Sequence, residues 1–198
     1  MQRADEHKLI LKAAAGDKAS AEVLIRAHQG SLHAYLLRLT GRNDVADDVT
    51  QEAFVRVLTN LNRFDPRFRF STWLFTIARR LYLNIREKKK PLSESDYISE
   101  CVETKVTANQ VEEADYRASY KDTLQRALMT LSDEQREVVV LFHQHDWPIW
   151  LIGEQLAIPE GTVKSHLHRG RIKLRDAVLA IAGEFEKTPT YLSQEAWA

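Results

Sequence analysis

Residues 131–178 have the sequence LSDEQREVVVLFHQHDWPIWLIGEQLAIPEGTVKSHLHRGRIKLRDAV and carry the strongest structural signal in the chain. Ser132 is followed three positions later by Gln135, a pair that typically caps the start of a helix. Pro148 is expected to open a second, short helix, and Thr162 is expected to cap a third one after a break that contains proline and glycine. A short helix, a break and a longer helix in this order predict a helix-turn-helix.

The third helix of this stretch is predicted to be strongly basic on one side. Val163 and Leu167 mark its apolar side, and the polar side chains lie away from it. A basic helix taken alone is usually only a solvated surface, but the short helix paired with it favours insertion into the major groove of DNA. The candidate DNA-contacting residues are Thr162, Lys164, Ser165, His166, His168, Arg169, Arg171 and Lys173.

The rest of the chain is also predicted to be helical, which makes the fold all-α. The 7 glycines and 5 prolines are few, and apolar residues recur every three to four positions rather than alternating. Breaks at Gly16, Gly30 and Gly41 are expected to divide the segment before residue 42 into three helices.

Two further helices are predicted in the N-terminal half. Asp44 is a suitable N-cap for a helix that ends before Phe64. Ser71 or Thr72 is expected to cap the next helix, which ends at Pro91 because proline lacks the amide donor that a helix needs.

Two pairs of large apolar residues lie near the predicted helix starts. Phe70 and Trp73 flank the start of one helix and are expected to be buried, as large aromatic side chains usually are. Trp150 and Leu151 lie in the first helix of the predicted helix-turn-helix, where they form part of the core, a partner surface or both.

Charge is distributed unevenly, although the chain as a whole has a net charge of zero. Residues 1–90 have a net charge of +7, residues 91–117 of −5 and residues 118–198 of −2. The acidic segment lacks apolar periodicity and is predicted to be a flexible linker. The domains are therefore expected at residues 1–90 and 118–182, followed by a C-terminal tail over 183–198.

Several classes of protein are disfavoured by composition. No run of about eighteen apolar residues is present and the N-terminus lacks the apolar core of a secretory signal, so we expect a cytoplasmic protein without membrane insertion. Cys101 is the only cysteine, which excludes a disulfide framework and any zinc site with two or more thiolates. We predict no catalytic residue, no metal and no cofactor, because no dense catalytic motif is present.

Two stretches, DVADDVTQEAFVRVLTNLNRFDPRFRFSTWLFTIARRLYLNIREKKK over 44–90 and the sequence over 131–178, resemble the two domains of a bacterial sigma factor of the extracytoplasmic-function class. They occur in the same order, with a linker between them. The resemblance implies a factor that binds core RNA polymerase at its β′ clamp helices and β flap and starts transcription at promoter DNA. It also implies an anti-sigma factor that holds the chain inactive, in some cases at the inner membrane.

The resemblance further implies roles for individual residues. The helix after Asp44 would dock on the polymerase through Asp48, Gln51, Glu52 and Arg56. A loop would capture a flipped base of the minus-ten element through Phe64, Arg67, Phe68 and Arg69. The next helix would contact the minus-ten region through Arg79, Arg80, Tyr82, Asn84, Arg86, Lys88 and Lys89. The basic helix of the helix-turn-helix would bind the minus-thirty-five element.

Two other functions stay open on the sequence alone. The helix-turn-helix also fits a stand-alone transcriptional regulator that binds duplex DNA without polymerase. A metal-dependent phosphodiesterase is the second, although histidines two positions apart on a helix diverge by about 200° and cannot chelate one ion together. Its candidate ligands are Asp47, Asp48, Glu52 and the pairs His143/His145 or His166/His168.

Overall fold

The computed structural model describes residues 3–89 and 111–186, and all regular structure in them is helical. The predicted all-α fold class is thereby confirmed. The chain forms two units. In the first, α1 spans Arg3–Ala14, α2 Lys18–Thr40, α3 Asn43–Thr59 and α4 Phe70–Lys89. In the second, α5 spans Val111–Met129, α6 Asp133–Gln144, α7 Ile149–Leu156 and α8 Glu160–Glu186.

The core of the first unit lies between α2, α3 and α4. Helix α2 packs against both α1 and α3, and α3 packs on α4. A single 3-10 turn, Leu61–Arg63, follows α3 and packs on α1. Full burial of a leucine or valine side chain contributes about 1.5–3 kcal/mol, so this apolar stripe fixes α3 and α4 relative to each other. The buried side chains include Leu24, Leu32, Leu36, Val49, Val57 and Leu74.

The prediction of three helices before residue 42 is wrong, because α2 continues without a break through Gly30 and Ser31. Glycine inside a helix costs only about 1 kcal/mol relative to alanine. Leu24 before Gly30 and Leu32 and Leu36 after it are buried, and this packing outweighs the local preference for a break. The breaks at Gly16 and Gly41 are confirmed, and both glycines have a positive φ, +94° and +68°.

Two predicted helix caps in the first unit are also wrong. Helix α3 begins one residue before Asp44, which lies in the first turn and forms an ion pair with Arg42. Its carboxylate is favourable there because the N-terminus of a helix carries partial positive charge. Helix α4 begins at Phe70, ahead of the predicted caps Ser71 and Thr72. Phe70 is 1% exposed, so burial of this ring anchors the helix start.

The second unit is built around α8, which packs against α5, α6 and α7. Helix α6 begins at the predicted capping box, in which the Ser132 hydroxyl accepts from the Gln135 amide and the Gln135 side chain accepts from the Ser132 amide. Arg136 is buried on the same helix and donates to the carbonyl oxygens of Leu128 and Leu131 at 3.0 Å each. This guanidinium ties α6 to the end of α5.

The helix-turn-helix spacing is confirmed by the tight turn between α7 and α8. Ala157 ends α7 in the left-handed conformation (φ +55°), and the Ile158 amide donates to the Gly153 carbonyl at 3.0 Å. The backbone of Ile158 also approaches Gly153 closely, because a Cβ at Gly153 would lie 2.9 Å from the Ile158 carbonyl oxygen. Only glycine fits at this position. Thr162 does not cap α8 as predicted, because the helix begins two residues earlier and the Thr162 amide already donates to Pro159. The Pro159 carbonyl accepts from the amides of Thr162 and Val163, so Pro159 occupies the N-cap position.

Parts of the sequence predictions fall outside the described residues. Helix α5 begins at Val111, so residues 111–117 of the predicted linker are helical, whereas 91–110, including Cys101, and the tail beyond 186 are not described. The same holds for the side chains of Lys88 and Lys89. Among the helices that are described, none is long and apolar enough to cross a membrane.

Candidate nucleic-acid interfaces

The outer face of α8 carries exposed polar and basic side chains. Lys164, Ser165, His168 and Arg169 are exposed, whereas Val163, Leu167 and Gly170 on the opposite side are buried against the rest of the unit. Lysine and arginine neutralise phosphates, and arginine also forms bidentate contacts with guanine. This face therefore has the shape and charge of a helix that enters a DNA groove.

Gly170 brings α8 close to α6. A Cβ at this position would lie 2.8 Å from Cγ2 of Val139 and 3.5 Å from Cδ2 of Leu131. Because such an approach leaves no room for a side chain, α8 rests directly on the core of the unit. The exposed face is thus held on a rigid base.

Arg171 differs from the other candidate DNA contacts on α8. Its Nε donates to Nε2 of His143 at 3.0 Å, and its guanidinium carbon lies 5.2 Å from the centre of the Phe142 ring. Partial burial lowers the pKa of the His143 imidazole, and the nearby Arg171 charge lowers it further. Among the remaining candidates, Thr162 and His166 are half-buried and Lys173 is exposed.

A ridge of polar side chains lies along the exposed side of α3. Asp48, Gln51, Glu52 and Arg56, the four predicted polymerase contacts, are all exposed. Glu52 and Arg56 form an ion pair one turn apart, with Nε of Arg56 2.7 Å from Oε1 of Glu52. These four residues are called the α3 ridge below.

Val55 is a residue that the sequence reasoning missed. It follows Gln51 and Glu52 by one helical turn on the exposed side of α3 and is 58% exposed. The signal was available, because Val55 falls outside the inward spacing of Val49, Ala53 and Val57. An exposed valine among charged residues gives the α3 ridge an apolar centre, which is typical of protein contact surfaces.

The loop before α4 folds into a tight turn that presents one aromatic ring. The Phe68 amide donates to the Asp65 carbonyl at 3.1 Å, which closes a four-residue turn with Pro66 in its second position. Arg67 donates from its amide and its guanidinium to the Asp65 carboxylate, and these bonds lower the pKa of that carboxyl. Phe68 is 48% exposed, and Arg69 is exposed beside it.

The four aromatic rings near this loop divide into buried and exposed groups. Phe64 packs with Phe70 and with Trp73, at centroid distances of 5.9 and 5.5 Å. The predicted burial of Phe70 is confirmed, while Trp73 is half-buried. Phe68 is therefore the ring of this group that is most available to a ligand.

The predicted contacts on α4 divide into an exposed group and a half-buried group on different sides of the helix. Arg80 and Asn84, one turn apart, are exposed. Arg79, Tyr82 and Arg86 are half-buried, and the Arg86 guanidinium carbon lies 6.0 Å from the centre of the Tyr82 ring. The exposed pair lies on the same unit as the loop with Phe68.

The metal-dependent phosphodiesterase hypothesis finds no assembled site among the side chains that the structure describes, those of residues 3–87 and 120–183. No three histidine, cysteine or acidic side chains among them lie close enough to hold a metal ion.

In the second unit, the predicted apolar segment on α7 divides into a buried and an exposed part. Leu151 is buried in the core, and Trp150 is 56% exposed.

Two family models match the chain, one in each unit. The model described as Sigma-70 region 2 matches residues 24–91, which include most of α2 and all of α3 and α4. The model described as Sigma-70, region 4 matches residues 121–174, which include α6, α7 and the basic part of α8. Helix α1 lies outside both matches.

A curated relative and two solved structures resemble most of the chain. The ECF RNA polymerase sigma factor SigW of Bacillus subtilis (strain 168) is 32% identical over 179 residues, covering 85% of this chain and 94% of the relative. The sigma factor RpoE, solved with the anti-sigma factor NepR from Bartonella quintana, has a TM-score of 0.62 at 22% identity and covers 79% of this chain and 95% of that one. CnrH, solved with the cytosolic domain of CnrY, has a TM-score of 0.58 at 25% identity and covers 88% of this chain and 97% of that one.

Proposed function

Because this chain belongs to the ECF RNA polymerase sigma factors, we propose that its first unit docks on core RNA polymerase and holds the minus-ten element, while its second unit binds the minus-thirty-five element. One observation supports this assignment of functions to the two units. The exposed basic face of α8 lies on one unit, whereas the α3 ridge and the exposed aromatic loop lie on the other. A promoter-specificity factor needs two DNA surfaces and a polymerase surface, and these three exposed groups of residues support the proposal that the chain has them.

The minus-thirty-five contacts are assigned to the outer face of α8. Lys164 and Arg169 supply charge for phosphates and base edges, and Ser165 and His168 supply hydrogen-bonding groups between them. Arg171 and Lys173 flank this face, and Thr162 and His166 lie at its edge. In this arrangement α7 crosses the DNA backbone, as the first helix of a helix-turn-helix does.

The minus-ten contacts are assigned to the loop before α4 and to the exposed side of α4. A flipped base stacks on an aromatic ring with a gain of about 1–3 kcal/mol, and Phe68 offers such a ring. Arg69 and Arg80 neutralise phosphates, and the Asn84 amide forms hydrogen bonds with the unpaired strand. Arg79, Tyr82 and Arg86 are half-buried on another side of α4 and would contribute from there. Strand opening then draws on binding energy, so this chain needs no nucleotide hydrolysis.

Polymerase docking is assigned to the α3 ridge together with Val55. The partner surface is the pair of β′ clamp helices, and the second unit contacts the β flap. The charged residues of the α3 ridge would orient the partner, and Val55 would supply apolar area that becomes buried on binding. This surface lies on a different helix from the DNA contacts.

The primary test is co-purification with bacterial core RNA polymerase, followed by run-off transcription from genomic fragments. Stable association together with new, defined start sites supports the proposal. Duplex binding by the chain alone, without polymerase association, contradicts it and supports the stand-alone regulator.

A matched pair of variants tests the docking surface. Val55→Asp places a charge at the centre of the α3 ridge, and Val23→Asp makes the same change at a valine of α2 that is 46% exposed. We expect Val55→Asp to weaken polymerase binding about tenfold or more, the size of loss typical of an interface anchor, with Val23→Asp unchanged. Equal effects of the two substitutions would contradict the assignment.

An anti-sigma factor is the proposed regulatory partner. CnrH, a solved structure of the same fold, was determined with the cytosolic domain of CnrY bound. We expect a protein recovered with this chain from its own cells to stop run-off transcription when it is added back. Core polymerase should compete with that protein for the chain, and a recovered protein without either effect is not the regulator.

A further inference from the structure

The turn that presents Phe68 is held from outside by the first helix of the chain. Nη2 of Arg3 donates to the carbonyl oxygen of Pro66 at 2.9 Å and to that of Arg67 at 2.7 Å. These are the carbonyls of the two central residues of the turn, which its own closing bond does not use. A guanidinium that binds two successive carbonyls fixes the orientation of both peptide planes.

The same helix is anchored beside the end of the loop. Glu6 lies on α1, and its carboxylate is 2.8 Å from Nε2 of His28 on α2, with both side chains largely buried. The His28 ring packs against the Phe70 ring at a centroid distance of 5.2 Å. Since Phe70 begins α4, α1 binds the turn directly through Arg3 and is linked to the start of α4 through His28 of α2.

The turn also has an internal support that leaves Phe68 outside it. Asp65 binds Arg67 through the amide and the guanidinium, so Arg67 is engaged within the turn itself. Phe68 is the next residue and remains 48% exposed. The direction of its ring therefore depends on the two peptide planes that Arg3 binds.

We infer that Arg3 is a positioning residue for capture of the minus-ten base, because it holds the turn that aims Phe68 at the unpaired strand. This inference rests on the proposed minus-ten function. It assigns a role to α1, which precedes the segment matched by the region 2 model. The role requires no contact between Arg3 and DNA.

The test measures base capture by the holoenzyme, using promoter DNA with one abasic site at each position of the non-template minus-ten strand in turn. In the wild type, one position should show the largest loss of binding when its base is removed. We expect Arg3→Gln to reduce that loss about three- to tenfold and to leave the losses at other positions unchanged, as removal of a charge-assisted hydrogen bond predicts. Combined with Phe68→Ala, Arg3→Gln should have no additional effect, because both act on the same contact.

Lys8→Gln is the matched control, since it removes the same charge from an exposed side chain of the same helix. Lys8→Gln should show the wild-type loss of binding at every abasic position. Arg3→Lys retains a charged donor and should therefore restore part of the position-specific loss that Arg3→Gln removes. A profile of Arg3→Gln identical to the wild type overturns the inference. A uniform change at every position together with a lower melting temperature also overturns it, because that pattern indicates a purely structural role. A wild-type holoenzyme without any position-dependent loss overturns the minus-ten function as well, so the two failures are distinguishable.

Discussion

Nε of Arg171 on α8 donates a hydrogen bond of 3.0 Å to Nε2 of His143 on α6. The bond exists only while Nε2 is unprotonated, because an imidazolium ion has no lone pair to accept it. The protonation state of the His143 imidazole therefore determines whether this bond holds the side chain of Arg171, a candidate DNA contact.

Acidification is expected to break this link. The folded-state pKa of His143 lies below its ordinary value of 6.5, mainly because of burial and also because of the Arg171 charge. The stabilisation is therefore fully present above about pH 6.5 and is lost as the pH falls through the folded-state pKa. We expect thermal unfolding of the second unit to be more acid-sensitive in the wild type than in His143→Gln, whose amide oxygen accepts from Arg171 at any pH.

The control for this experiment is His168→Gln on the outer face of α8. It removes an exposed imidazole from the same unit and should keep the wild-type dependence on pH. If His143→Gln and the wild type lose stability in parallel from about pH 8 to about pH 5, the range in which histidine titrates, the Arg171 bond has no role in the pH response.

Loss of the basic side chains on α8 should separate promoter recognition from polymerase binding. Lys164→Ala and Arg169→Ala are each expected to reduce promoter-dependent transcription about tenfold while polymerase association stays nearly intact. Lys121→Ala, an exposed lysine of α5 in the same unit, should have little effect. Run-off transcription and co-purification measure the two properties, and an equal loss of both would contradict the assignment of the units.

Salt dependence gives an independent check on the phosphate contacts. Promoter complexes should weaken steeply between about 50 and 200 mM salt, because bound cationic side chains release counterions from DNA. Lys164→Ala should reduce the slope of log K against log salt by about 1, the value expected for one phosphate contact. Lys121→Ala serves again as the comparison, and a flat response in the wild type would argue against phosphate contacts by the outer face of α8 and by Arg69 and Arg80.

Arg136 is expected to be essential for the stability of the second unit. Arg136→Met keeps most of the side-chain volume but leaves the carbonyls of Leu128 and Leu131 without their charged donor, at a cost of about 2–4 kcal/mol. Hydrogen exchange should show faster opening of α5 and α6, with no change in α2 and α3. Arg175→Met, at an exposed arginine of α8, should stay within about 0.5 kcal/mol of the wild type. A comparable effect of both substitutions would indicate that burial of Arg136 is not the cause.

The glycines of α8 offer a test of its packing. Gly170→Ala is expected to destabilise the second unit by about 1–3 kcal/mol, because the new methyl group overlaps Val139. Gly183→Ala, with nothing within 4 Å of the added Cβ, should be neutral or stabilising by up to about 1 kcal/mol. Urea unfolding of the two variants measures the difference, and a stabilising Gly170→Ala would show that α8 moves away from α6 at little cost.

The amino-acid sequence by itself determined the all-α class, the capping box at Ser132 and the helix-turn-helix spacing. These features are local, since each depends on a few residues whose hydrogen bonds and backbone preferences lie within one or two turns. The same locality explains the errors at Gly30, Asp44 and Thr162. At Gly30 the packing of α2 outweighed the intrinsic preference, and at the other two positions the helix begins two and three residues earlier than the predicted cap implies.

Only the tertiary structure decided which candidate side chains are available to a partner. Arg171 has the right charge in the sequence, yet its Nε is bound to His143, a residue 28 positions away. Arg3 has no distinguishing motif, and its contact with Pro66 joins residues 63 positions apart. Such pairings depend on how whole helices pack, and side-chain chemistry alone does not specify a neighbour that is distant in sequence.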